Sequence, residues 1–189
     1  NARSFHPLKP QIMVAEGRGF ISLWDLEEGK LLARREVGAS AERLAYSPDG
    51  TFVAASYRMN GSWGVSVHEA SEGTLVTSNV FANFVSALAW HPDGQQIAVT
   101  DYSGGVQMMD SRTGKLVTLG RHRAEAATAL FSPSGQYLFT GGWERELICW
   151  DARTMQRAMT VALDSYIMQF RADGQACALT TLLGLQLHA

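Results

Sequence analysis

The stretch AATALFSPSGQYLFTGGWERELICWD, residues 126–151, decides how this chain folds. It opens on a short apolar run, Ala126 to Phe131, of strand length. Ser132-Pro133-Ser134-Gly135 follows as a turn, where Pro presets φ at the first corner and Gly tolerates the tight second one. Gln136 to Thr140 reads as the next strand, with Tyr137, Leu138 and Phe139 inside it. Gly141-Gly142 is expected to break that strand. Glu146 to Trp150 reads as a third strand and Met155 to Val161 as a fourth. Four short strands joined by tight turns predict an antiparallel meander.

The turn phrase recurs along the whole chain. Its other copies are Phe5-His6-Pro7, Tyr46-Ser47-Pro48-Asp49-Gly50, Trp90-His91-Pro92-Asp93-Gly94 and Phe170-Arg171-Ala172-Asp173-Gly174. The third positions, 7, 48, 92, 133 and 172, stand 41, 44, 41 and 39 residues apart. A second mark keeps time with the first: Trp24-Asp25, His68-Glu69, Met109-Asp110 and Trp150-Asp151. Gly29, Gly73 and Gly114 each follow that mark by five residues, as a turn before an outer strand. A period of about 40–45 residues carrying Trp-Asp is the sign of a propeller blade. The prediction is an all-β β-propeller of four-stranded antiparallel blades, with about five blades present and the last incomplete. It forms one domain over 1–189, in repeat units of about 1–26, 27–69, 70–110, 111–151 and 152–189. The extra three residues of the 44-residue step fall in 57–62 and are expected to lengthen one hairpin so that it protrudes.

Bulk properties bound the function. The chain has 189 residues, 46% hydrophobic and 18% charged, with a formal net charge of −2. Nothing in that balance points to nucleic acid. No stretch of about 18 apolar residues exists to span a membrane as a helix. Cys149 and Cys177 are too few for a disulfide framework and are expected to be buried free thiols. A cytoplasmic location is the default expectation.

These residues resemble the WD-repeat β-propeller family over essentially the whole chain. In that family each blade is pinned by a buried relay of His, Ser or Thr, Asp and Trp. The resemblance places His122, Thr140, Glu144 and Trp150 of the fourth unit in those roles, with Glu144 departing from the family's Asp. In other units the Thr140 position holds Ala55, Val99 and Leu179, and the Glu144 position holds Arg18, Ser62 and Ser103. Those blades are expected to rely on apolar packing and backbone ladders. Family members usually close with about seven blades, so the chain is expected either to close as a five-blade ring or, the favoured reading, to be an arc of a larger propeller, able to self-associate through open edges.

No catalytic constellation stands out. His6 and His91 sit in the turn phrase, His68 and His188 on the third strand, and His122 in the relay. No His-x-His or Cys-x-x-Cys pair supports a metal, so neither metal nor other cofactor is expected. Asp49, Asp93 and Asp173 belong to turns, and Asp25, Glu69, Asp110 and Asp151 close third strands. The resemblance therefore implies a protein-interaction scaffold that docks a protein or peptide on one rim. The candidate contact residues are Trp143 and Tyr102, in the turns after second strands, with Phe84 and Tyr166 at the starts of inner strands. A propeller-type enzyme of lactonase or quinoprotein kind would need polar groups converging on the central channel. The inner strands offer mostly Ala, Leu, Val and Ser there. A third possibility is a sensor or regulatory domain within a longer multidomain protein.

Overall fold

The computed structural model describes residues 2–17, 19–37, 39–162, 165–170, 177–181 and 184–188, the last three segments as backbone only. Every regular element among them is a β-strand. The first sheet runs β1 (Arg3–Phe5), β2 (Gln11–Gly17), β3 (Phe20–Asp25) and β4 (Leu31–Glu36). The second runs β5 (Ser40–Tyr46), β6 (Phe52–Met59), β7 (Ser62–Glu69) and β8 (Leu75–Phe81). The third runs β9 (Val85–Trp90), β10 (Gln96–Asp101), β11 (Gly105–Asp110) and β12 (Leu116–Arg121). The fourth runs β13 (Ala126–Phe131), β14 (Tyr137–Gly142), β15 (Glu146–Asp151) and β16 (Gln156–Ala162). The fifth has three described strands, β17 (Ser165–Phe170), β18 (Cys177–Thr181) and β19 (Gly184–His188). Each sheet is an antiparallel meander in chain order.

The first strands of successive sheets pack in the order β1, β5, β9, β13 and β17, which makes them the inner strands around an axis. Each sequence unit after the first straddles two sheets. The units beginning near 27 and 70 open with β4 and β8, the outer strands of the preceding sheets. The reason is that the outer strand follows the Trp-Asp mark, whereas the next turn phrase follows the next inner strand.

Alternate residues of a middle strand serve opposite neighbours, as pleating requires. On β10, Ile97 and Val99 join Val65, Val67 and Trp90 between the second and third blades. Ala98 instead joins Leu138, Ile148 and Trp150 between the third and fourth. A strand covered on both faces is buried at successive residues, as β10 is from Ile97 to Asp101, with an apolar run at Ile97-Ala98-Val99. The first and second blades meet through smaller residues, among them Met13, Ala15, Val53 and Ala55.

The turns explain two repeated residue types. Asp25, Asp110 and Asp151 accept the backbone N–H groups two and three residues on, at 2.7–3.0 Å. These bonds, strongest from Thr113 and Thr154, hold the Asp110 and Asp151 carboxyls below the ordinary carboxylate range. Gly29, Gly73 and Gly114 adopt φ of 62–73° in the following turn. The fourth blade puts Met155 there at φ 57°, a left-handed conformation offset by packing against the core beside Trp150.

One local expectation is corrected. Gly141 and Gly142 do not break β14 but end it, paired with Leu147 and Glu146. Gly142 is small for reasons of space, since a Cβ there would stand 2.6 Å from His122 Nδ1 and collide with Glu144. Cys149 is buried and unbridged, and burial pushes its thiol pKa up. The Cys177 side chain lies outside the described residues.

Candidate functional site

The antiparallel topology sorts the loops onto two rims. Turn phrases and Trp-Asp turns share one, here the lower rim. Hairpins between second and third strands share the upper rim with the connections between blades.

In the fourth blade a buried chain of hydrogen bonds climbs to that upper rim. Trp150 Nε1–H donates to Thr140 Oγ1 at 2.8 Å, and Thr140 Oγ1 lies 2.8 Å from His122 Nε2. His122 Nδ1 lies 2.6 Å from Glu144 Oε1, and its side chain is fully buried. One tautomer satisfies every link: Nδ1–H donates to the carboxylate and Nε2 accepts the Thr140 hydroxyl. Burial pushes the Glu144 carboxyl up, but its own amide, His122 and the Arg123 amide outweigh that and lower it. The chain joins β15, β14, the 121–126 connection and the 142–145 turn. It fixes the seat of Trp143.

Other blades answer the same need differently, which corrects the expectation of purely apolar packing. Thr140 faces Ile148 across the ladder, whereas Val14 faces Ser22 and Ala55 faces Ser66. The hydroxyl has crossed to the third strand. There Trp24 Nε1–H donates to Ser22 Oγ at 2.9 Å, and His68 Nε2 lies 2.9 Å from Ser66 Oγ. The third blade buries Thr100 and Ser86 together at 2.9 Å, and Ser86 also bonds the Ala126 carbonyl of the next blade.

The exposed surface of the upper rim is aromatic. Tyr102, 50% exposed, tilts against Phe84 at 4.5 Å between ring centroids. Phe84 in turn meets Trp63 edge-on at 4.8 Å and 84°. Phe84 is therefore the centre of a cluster bridging the second and third blades, with Tyr102 at its edge. Trp143, 61% exposed, stands one blade further on the same rim. Tyr166 falls on β17, where its side chain lies outside the described residues.

Sequence reasoning missed Trp63, Arg43 and Arg58. Arg43 sits over Phe84 at 5.4 Å and Arg58 over Trp63 at 5.1 Å. The available signal was Asn60-Gly61. The pair has φ of 52° and 82° and makes a two-residue turn between Met59 and Ser62. The turn extends β6 and β7 to eight residues each and raises the hairpin above its neighbours.

The inner strands line a cavity of about 480 Å³ with Leu44, Tyr46, Leu88, Trp90, Leu130 and Phe131 among its walls. Side chain–backbone bonds tie its blades together: Trp90 Nε1–H donates to Ala45 O at 2.9 Å, and the Tyr46 backbone N–H donates to Ser4 Oγ at 3.1 Å.

Four-stranded blades around an axis, a Trp-centred relay and loop-borne rims define a β-propeller of the WD class. The chain belongs to the WD-repeat β-propeller family. The family model for the WD domain, G-beta repeat, matches residues 114–151, and that for the anaphase-promoting complex subunit 4 WD40 domain matches 79–131. The chain is 30% identical to WD repeat-containing protein SL1-17 of Schistosoma mansoni, over 70% of this chain and 44% of that protein. It is 31% identical to the COMPASS component SWD3 of Saccharomyces cerevisiae, over 68% of this chain and 40% of that protein. It spans less than half the length of both relatives. Among solved structures, the β-propeller domain of Myceliophteria thermophila Cps50 (Swd1) superposes with a TM-score of 0.82. That match has 17% identity and covers 95% of this chain and 61% of the other.

Proposed function

We propose that this chain is a non-catalytic interaction scaffold that docks a protein or peptide on its upper rim, over Trp63, Phe84, Tyr102 and Trp143. The ring cluster carries the reading. Rings held against one another present a large contact area at small entropic cost, which is the usual make-up of an interface anchor. The relay supports it too, because it gives Trp143 a rigid base. COMPASS component SWD3 is by its name part of an assembly, which accords with a scaffold role.

The test is affinity purification on the wild-type chain and on Tyr102→Ala and Trp143→Ala variants, followed by calorimetry on each recovered partner. Losing a central anchor is expected to cost at least about 2 kcal/mol, roughly thirtyfold in Kd. Unchanged affinity for every partner rejects the rim as the docking site.

A further inference from the structure

We infer that the upper rim of the second and third blades takes an acidic protein segment, in which Asp or Glu side chains flank an apolar anchor. This rests on the rim reading above and narrows it to a class of partner. The carrying observation is a juxtaposition of guanidinium groups with rings. Arg58 is exposed and covers Trp63, while Arg43 covers Phe84. No carboxylate pairs with either arginine among the described residues. Arg43 is oriented by two carbonyls, Ser86 O at 2.7 Å from its Nε and Glu42 O at 2.8 Å from its Nη1. A guanidinium placed over a ring without a carboxylate partner keeps N–H groups for a planar carboxylate.

The two rims differ in cation type, with Arg112 and Arg153 standing beside the lysines in lower turns. The three lysines, Lys9, Lys30 and Lys115, all stand in lower turns. Cations on the upper rim of the second to fourth blades are all arginines: Arg43, Arg58, Arg121, Arg123 and Arg145. The nearby acids are largely engaged. Asp101 is buried and accepts from Ser103 N, Ser103 Oγ and Gly105 N at 2.6–3.0 Å. Glu144 belongs to the relay, and Glu146 pairs with Arg123. Glu42 and Glu125 remain.

A peptide is favoured over nucleic acid because the rings interlock at 84° and 58° rather than lying parallel as a stacking ladder for bases. Carboxylates are favoured over one phosphate because the two guanidiniums sit over different rings. Spread single charges suit a run of Asp and Glu.

The experiment is fluorescence anisotropy of the whole chain with labelled synthetic peptides of about a dozen residues. Each carries a central Leu, Phe or Trp flanked by increasing numbers of Glu. Matched Lys and phosphoserine sets and a single-stranded RNA of similar length complete the panel. Affinity is expected to rise about tenfold or more from no Glu to four Glu, and to fall with added salt. Arg58→Gln should erase most of that rise, and Arg58→Lys should restore only part of it, since Lys lacks the planar fork. Arg58 is exposed, so both variants are expected to fold, with circular dichroism as the check.

Absence of binding by every Glu peptide overturns the inference, as does equal binding of the Lys set. Tighter binding of phosphoserine peptides or RNA at the same site also overturns it. A neutral or Lys peptide that loses affinity with Tyr102→Ala would keep the rim reading while removing the acidic class. Binding that neither Tyr102→Ala nor Arg58→Gln alters removes both.

Discussion

The fourth and second blades solve one problem in two ways. Each places a nitrogen-bearing ring at the same register position of its third strand, facing the preceding blade. Trp150 sends its N–H across the ladder to Thr140, and the chain continues through His122 to Glu144. His68 reaches only Ser66 on its own strand and the Gly73 carbonyl at 3.1 Å. The first arrangement ties four segments together and reaches the upper rim. The second is local and stops near the lower rim. A network spanning several elements holds their relative positions, whereas a bond within one strand holds only a side chain. The rims differ accordingly. The fourth blade seats Trp143 in a short turn anchored from below, and the second raises a longer hairpin with its own Asn-Gly turn, held at Trp63 by Phe84.

The sharpest way to break this comparison is to remove both rings. Trp150→Ala leaves a large cavity and takes one of the two partners of Thr140 Oγ1, and should cost about 3–5 kcal/mol in urea unfolding. His68→Ala should cost about 1 kcal/mol, since its ring is half-exposed and makes ordinary hydrogen bonds. Equal losses would show that the relay adds nothing beyond a filled space.

Deleting the hydroxyls isolates the polar part. Thr140→Val keeps the shape but strands the Trp150 N–H and the His122 Nε2, at about 1–3 kcal/mol. Ser66→Ala should cost about 0.5–1.5 kcal/mol, because water can reach the half-exposed His68. Hydrogen exchange should also rise in 121–126 for Thr140→Val and stay confined to β7 for Ser66→Ala.

The raised hairpin gives a smaller effect. Gly61→Ala meets no neighbouring atom, so its cost is the left-handed conformation alone, about 1 kcal/mol. Partner binding through Trp63 should weaken with it if the turn aims that ring. An unchanged hairpin by chemical shift would show that the strands set the geometry.

The smallest effect is on pH dependence. Asp110 and Asp151 have folded pKa values below their unfolded ones. Their contribution is therefore complete above the ordinary carboxylate pKa of about 4 and is lost as pH falls through the lower folded values. Glu144 acts in the same direction. Urea midpoints measured from pH 6 down to 3 should fall, and Asp110→Asn should flatten the slope. A midpoint that rises on acidification contradicts the sign.

Repetition made the fold legible. Four of the five copies of the turn phrase lie among the described residues, and each joins a first strand to a second, because Pro, with Gly in three of them, acts on local backbone; beyond Phe170 the copy at 170–174 lies outside the described residues. The Trp-Asp mark carries its own reason, a carboxylate closing the next turn. His122, Thr140, Glu144 and Trp150 were readable as one group through the resemblance to the WD-repeat family. Gly142 was not, since its smallness answers to His122 twenty residues away. The hydroxyl that crosses from the Thr140 register to Ser66 was hidden likewise, because strand pairing alone puts the two positions opposite each other. Phe84 could be named, but not as the hub between Trp63 and Tyr102.

The residues alone determined the period, the four-strand unit, the turns and the ring-bearing third strand, all of which depend on short-range backbone chemistry. Only the tertiary structure decided which rings touch, which arginine lies on which ring, and how far a hydrogen-bond chain runs. Those depend on register and on contacts between blades some forty residues apart, where a single step in pairing changes every neighbour.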